Sequence, residues 1–77
     1  MIVNFYAAAA DTAGAHSREV PGRLTVAELG RLLSTGNPAL ADVLARSTFL
    51  VDGRATHPDI LIPASAQVDV LPPFAGG

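Results

Sequence analysis

With 77 residues the chain can form one small domain with a single core, but its interior is too small for a deep substrate cavity. It has no cysteine, which excludes disulfides and thiolate-held metal, so the core must come from the 49% of residues that are hydrophobic. The net charge is −2, and the basic residues Arg18, Arg23, Arg31, Arg46 and Arg54 are scattered, which excludes a phosphate-tracking surface for nucleic acid; the absence of lysine excludes amine chemistry on a side chain.

Residues Met1 to Ala7 carry Ile2, Val3, Phe5 and Tyr6, a β-rich run. Alternation sends Val3 and Phe5 to one face and Ile2, Asn4 and Tyr6 to the other. From Ala8 to Gly14 side-chain bulk falls and Asp11, Thr12 and Gly14 enter, which predicts a turn. Ser17 to Arg23 then has room for one short antiparallel strand, so a β-hairpin is expected to open the domain. No basic residue precedes Arg18, so this start lacks the charged region of a signal peptide. No apolar run approaches the roughly 18 to 20 residues of a membrane span. A soluble, unprocessed, cytoplasmic protein is expected.

Thr25-Val26-Ala27-Glu28 has the capping-box pattern, in which the Thr oxygen accepts from the third helical amide and Glu reaches back to the amide of the cap. A helix should start there. Val26, Leu29, Leu32 and Leu33 recur at three- and four-residue spacing as its buried stripe, while Glu28 and Arg31 face water. Ser34-Thr35-Gly36-Asn37 should stop it. Asn37-Pro38 reads as an N-cap with proline at the first helical position, followed by a shorter helix with Leu40, Val43 and Leu44 on its apolar side up to about Arg46.

Phe49-Leu50-Val51 predicts a strand closed by Asp52-Gly53, a pair suited to the positive backbone angles of a two-residue hairpin turn. Arg54 to His57 should return as a brief strand. Ile60-Leu61-Ile62, between Pro58 and Pro63, predicts a short buried connection, and Gln67-Val68-Asp69-Val70-Leu71 alternates as a half-exposed strand does. Pro72 cannot donate to a sheet ladder and should end it. Pro72-Pro73 reads either as a strand stop alone or also as a stiffened, polyproline-like exit.

His16 and His57 lie beside predicted turn residues with no local carboxylate and nucleophile, which marks them as surface histidines. Asp52 and Asp59 read as turn residues, and no metal site is expected. Nothing resembles a glycine-rich phosphate cradle ending in Lys-Ser/Thr. The last residues are Leu71-Pro72-Pro73-Phe74-Ala75-Gly76-Gly77. Gly76 and Gly77 place no Cβ near the terminal carboxylate, so a narrow channel could admit them.

The order strand, strand, helix, short helix, strand, turn, strand predicts an α+β, β-grasp (ubiquitin-like) fold. Its mixed sheet of four to five strands would pack on one main helix plus a short second one, with residues 1–71 as the domain and 72–77 as an extended functional tail. The expected radius of gyration is roughly 11 to 12 Å, and five extended residues reach about 16 to 18 Å beyond it.

The residues also resemble a family, the small ubiquitin-like sulfur carriers, above all the small subunit of molybdopterin synthase, with the thiamine-pathway carrier as a relative. The resemblance runs over nearly the whole chain. It rests on Phe5-Tyr6-Ala7 with Gly14, Thr25-Val26-Ala27-Glu28-Leu29, Phe49-Leu50-Val51-Asp52-Gly53, and most specifically Val68-Asp69-Val70-Leu71-Pro72-Pro73-Phe74-Ala75-Gly76-Gly77. Ala10-Asp11 and Asp52 stand where family members often carry an Arg-Glu pair and an Asn.

The resemblance implies that the Gly77 carboxylate is the reacting group, adenylated by an E1-like enzyme that uses ATP and then converted to a thiocarboxylate by a sulfur donor. A large catalytic subunit of the molybdopterin synthase type would receive the sulfur. The chain would not be an enzyme by itself and would bind no cofactor. Gly76, Ala75, Phe74 and Pro73, with Tyr6 and Leu71, would contact partners. Phe74 reads either as an anchor in a partner's notch or as a cover for the domain's own sheet. Ile2, Tyr6 and Leu71 read either as one docking patch or as scattered exposure. Two other functions fit the same tail: a sulfur carrier for thiamine or cysteine synthesis, and a ubiquitin-like protein modifier or interaction domain.

Overall fold

The computed structural model describes residues 1–73. Strand β1 (Ile2–Phe5) leads through a short helix α1 (Ala8–Ala13) to β2 (Ser17–Glu19), and β3 (Leu24–Thr25) runs directly into helix α2 (Val26–Ser34). Helix α3 (Pro38–Ala45) follows, then β4 (Thr48–Val51), β5 (Arg54–Ala55), β6 (Leu61–Ile62) and β7 (Gln67–Leu71). The main sheet has five strands in the order β2-β1-β7-β4-β5, and β3 pairs with β6 in a separate ribbon. This is the expected β-grasp, with a radius of gyration of 11.3 Å.

The last strand lies in the middle of the sheet. β7 runs parallel to β1, with Val3 opposite Val68 and Phe5 opposite Val70, and antiparallel to β4, with Phe49 opposite Val70. Because side chains alternate, this register stacks Val3, Phe5, Val68 and Val70 on one face. All four are buried, against Leu29 and Leu33 of α2 and Leu40 and Leu44 of α3. Ile62 is fully buried and joins the β3–β6 ribbon to the same core.

The helix signals form as the local chemistry dictates. Thr25 caps α2, its hydroxyl accepting from the Glu28 amide at 3.1 Å while the Glu28 carboxylate accepts from the Thr25 amide at 2.8 Å. Asn37 caps α3 by accepting from the Leu40 amide at 3.1 Å, with Pro38 in the first turn. The Asp52-Gly53 turn has positive φ at both residues, 50° and 78°. Asp52 further ties the hairpin to the start of β7, since its side chain accepts from the Gln67 amide at 2.9 Å.

Three expectations need correction. Ala8 to Gly14 is not a plain turn: residues 8–13 are helical, and Gly14, at φ 73°, ends the helix by donating to the Ala10 carbonyl at 2.9 Å. The run of alanines has the highest helix propensity of any residue type, and its small side chains let Ala9 and Ala10 enter the core. Ile60-Leu61-Ile62 is not a buried connection, because Leu61 and Ile62 form a strand whose alternation leaves Leu61 53% exposed while Ile62 goes inside. In α2, Leu32 turns off the stripe and is exposed, because Leu29 and Leu33 already fill the contact with the sheet.

Among the described residues, no helix is long and apolar enough to cross a membrane.

Candidate functional site

The candidate site is the carboxyl end of β7, where the chain leaves the sheet. Val70 is fully buried and Leu71 half-buried, Pro72 is half-buried, and Pro73 is exposed. The ladder ends at Leu71, opposite Thr48 of β4, because the ring nitrogen of Pro72 has no hydrogen to donate. On the other side β1 ends at Phe5, opposite Val70, so the next residue, Tyr6, stands beside Leu71. The Tyr6 amide holds this end shut by donating to the Val70 carbonyl at 3.3 Å. The tail therefore begins between the end of β1 and the start of β4, from the central strand of the sheet.

The outer face at this exit is polar across its middle. Asn4 donates through Nδ2 to Gln67 Oε1 at 3.0 Å and to Asp69 Oδ1 at 3.1 Å. The Tyr6 hydroxyl donates to the same Asp69 oxygen at 3.4 Å. Ile2 and Tyr6 share the outer face, but Asn4 lies between them, so Ile2, Tyr6 and Leu71 do not merge into one apolar patch. Tyr6, 46% exposed, and Leu71 are the apolar pair at the exit itself. Nothing in the sequence alone reveals the Asn4–Gln67–Asp69–Tyr6 chain. Its trace there is the set of polar residues at outward positions 4, 67 and 69, which gains meaning only once Asn4 is known to pair with Asp69.

Of the residues expected to act, Tyr6, Leu71 and Pro73 meet at this one end of the sheet. Phe74, Ala75, Gly76 and Gly77 lie outside the described residues. His16 and His57 are both exposed and lie on separate loops. No group of three His, Asp or Glu side chains among the described residues could hold a metal ion. A concavity of about 540 Å³ lies between α2, α3 and β4; His57 and Arg31 line it without a carboxylate among its lining residues. Nothing there assembles an acid, a base and a nucleophile.

The Glu28 carboxyl has a lowered affinity for a proton. Its hydrogen bonds from the Thr25 amide and hydroxyl hold its pKa below the ordinary value, with a smaller contribution from Arg31. That is helix capping, remote from the exit.

The comparisons agree with this geometry. The chain matches the model of the ThiS family over residues 3–77. Among solved structures, SAMP1 from Haloferax volcanii is similar with a TM-score of 0.80 at 25% identity, over 100% of this chain and 98% of that one. A Pyrococcus furiosus protein described as a molybdopterin converting factor, subunit 1, also reaches a TM-score of 0.80 at 20% identity, with 95% of each chain covered. The small archaeal modifier protein 1 of Haloferax volcanii appears again in a second structure, at a TM-score of 0.77 and 24% identity, with 96% and 97% covered. No curated protein matches the chain. A family match that starts within β1 and continues beyond the exit of β7 covers both the platform and the tail, and the chain belongs to the ThiS family of small ubiquitin-like sulfur carriers.

Proposed function

We propose that this protein carries sulfur on its terminal carboxylate for molybdopterin synthesis. The observation that carries this reading is the placement of β7. A central strand, gripped by β1 and β4, delivers the tail from a rigid edge, and Pro72-Pro73 prolongs that exit in an extended form. The reacting group is the Gly77 carboxylate. At pH 7 it is ionised and a poor electrophile. An E1-like enzyme would supply ATP, the carboxylate oxygen would attack the α-phosphorus, and pyrophosphate would leave. A sulfur donor then displaces AMP to give the thiocarboxylate, which delivers sulfur inside a large catalytic subunit of the molybdopterin synthase type.

The chain's own part is recognition and reach. Tyr6, Leu71, Pro73, Phe74 and Ala75 are the partner contacts, with Phe74 as anchor, and Gly76 leaves clearance in the activating enzyme's channel. The chain binds no cofactor itself, and the cycle runs in the cytoplasm. The ending Pro72-Pro73-Phe74-Ala75-Gly76-Gly77 favours the molybdopterin branch over the thiamine-type carriers.

A second reading, a protein modifier joined to targets through Gly77, is favoured by the likeness to SAMP1. One experiment separates them: intact-mass measurement of the protein isolated from its native cell, and of the purified chain incubated with the cognate activating enzyme, ATP and sulfur donor. Replacement of one terminal oxygen by sulfur is the expected result. An unchanged mass under both conditions overturns the carrier reading, and a Gly77 isopeptide on other proteins supports the modifier.

A further inference from the structure

The sheet has an open edge two strands from β7. Among the described residues β2 is an edge strand, paired only with β1. The Phe5 amide donates to His16 at 2.8 Å and the Val20 amide to Met1 at 2.9 Å. Bonded pairs alternate along an antiparallel ladder, so Val3 with Arg18 belongs to the same set, and the N–H and C=O groups of Ser17 and Glu19 point away from the sheet. Both residues are exposed.

Beside this edge lies a notch of about 270 Å³, whose walls combine Phe5, Leu33 and Leu40 with the polar Ser17, Thr35 and Asn37. Arg18 shares the register position of the core residue Val3, so it sits on the helix side of the sheet, and it is the only charged residue lining the notch among the described residues. The three observations coincide on one edge: unpaired backbone groups, a small recess with mixed polar and apolar walls, and a single cation.

From this coincidence we infer that the β2 edge and its notch form a docking site for an extended, acidic segment of another protein, added as a sixth strand. Backbone pairing with Ser17 and Glu19 supplies sequence-independent affinity, and the side chains that alternate toward the helices supply selectivity. On that face one residue fills the recess and its neighbours two positions away carry the carboxylates that meet Arg18. Charge also explains why the edge is safe in the free protein. Arg18 and Glu19 blunt it against uncharged strands, including those of misfolded chains. The inference is independent of the sulfur-carrier reading.

The test is a titration of the full chain, followed by amide chemical shifts, with the acetylated peptide Thr-Glu-Thr-Ile-Thr-Glu-Thr amide. Its Glu, Ile and Glu share one face of a strand. Expected are saturable shifts at Ser17, Arg18 and Glu19 and at Leu33 and Leu40, with binding weakened about tenfold by Arg18→Glu and less by Arg18→Gln. Replacing both peptide glutamates by lysine should weaken binding to the natural chain and restore it to Arg18→Glu. Because Arg18 is exposed, both variants should keep the native spectrum elsewhere. Absence of saturation at millimolar peptide, shifts centred on another face, equal binding of a peptide with alternate amides N-methylated, or indifference to Arg18→Glu would each overturn the inference. So would a symmetric dimer through β2 that excludes the peptide.

Discussion

Tyr6 and Asp69, 63 positions apart in the sequence, meet through a 3.4 Å hydrogen bond from the phenol to the carboxylate at the end of the sheet where the tail begins. The bond fixes the ring of an exposed aromatic side chain beside Leu71. An aromatic group already held in place loses little freedom when a partner covers it, which is what a binding anchor requires.

Tyr6→Ala should therefore leave a cooperatively folding domain but raise the KM of the activating enzyme for this chain by about tenfold or more. Tyr6→Phe, which keeps the ring and loses only the bond to Asp69, should give a smaller rise. Pyrophosphate release against carrier concentration measures both. An unchanged KM for Tyr6→Ala places the docking surface elsewhere.

Gly76→Val is expected to fold like the natural chain and to fail as a substrate for adenylation. A β-branched side chain next to the reacting carboxylate narrows both the space and the accessible backbone angles. Circular dichroism checks the fold and ATP–pyrophosphate exchange the reaction. Normal exchange by this variant removes the need for a narrow channel.

Ala7 has φ 50° and ψ −127°, a conformation suited to glycine, in the turn closed by the Ala9 amide donating to the Tyr6 carbonyl at 3.0 Å. Strain of this kind costs about 1–3 kcal/mol, and glycine's extra freedom in the unfolded chain takes back roughly 0.5–1 kcal/mol. Ala7→Gly should accordingly stabilise the protein by about 1 kcal/mol, read as a higher urea midpoint at unchanged slope. A lower midpoint would mean that the surrounding turn accommodates alanine without strain.

The capping box predicts a pH dependence with a definite sign. The folded-state pKa of Glu28 is lowered from 4.5, so its contribution is present above that value and is lost as pH falls through the depressed one. Thermal melts of the natural chain and Glu28→Gln should diverge least in acid, where the carboxyl of the natural chain is also neutral, and most above pH 4.5. Thr25→Ala removes the other half of the box and should cost about 1 kcal/mol. A constant difference between the natural chain and Glu28→Gln across this range would remove the carboxylate from the account.

Features set within a few residues are legible in the chain itself. The capping box at Thr25, the proline-started helix at Asn37 and the Asp52-Gly53 hairpin each need only neighbours to satisfy their backbone groups, and each forms where its residues stand. The strand at residues 67–71 is legible from alternation alone. The Ala8–Ala13 helix is not, because six residues of small side chains make a marginal helix in isolation, and only the burial of Ala9 and Ala10 makes it hold.

The exit site divides along the same line. Residue order alone shows Phe74 and the small residues Ala75-Gly76-Gly77 after the last strand, no cysteine or lysine, and a proline that must end that strand. Where that tail starts, and what surrounds it, comes from the packed fold. The parallel pairing of β1 with β7 joins Asn4 to Asp69 and Tyr6 to Leu71 across more than sixty positions, and β3 with β6 turns an apparent apolar connection into a half-exposed ribbon. Such contacts follow from strand order and register, which depend on how the whole core packs and leave no mark within any one segment.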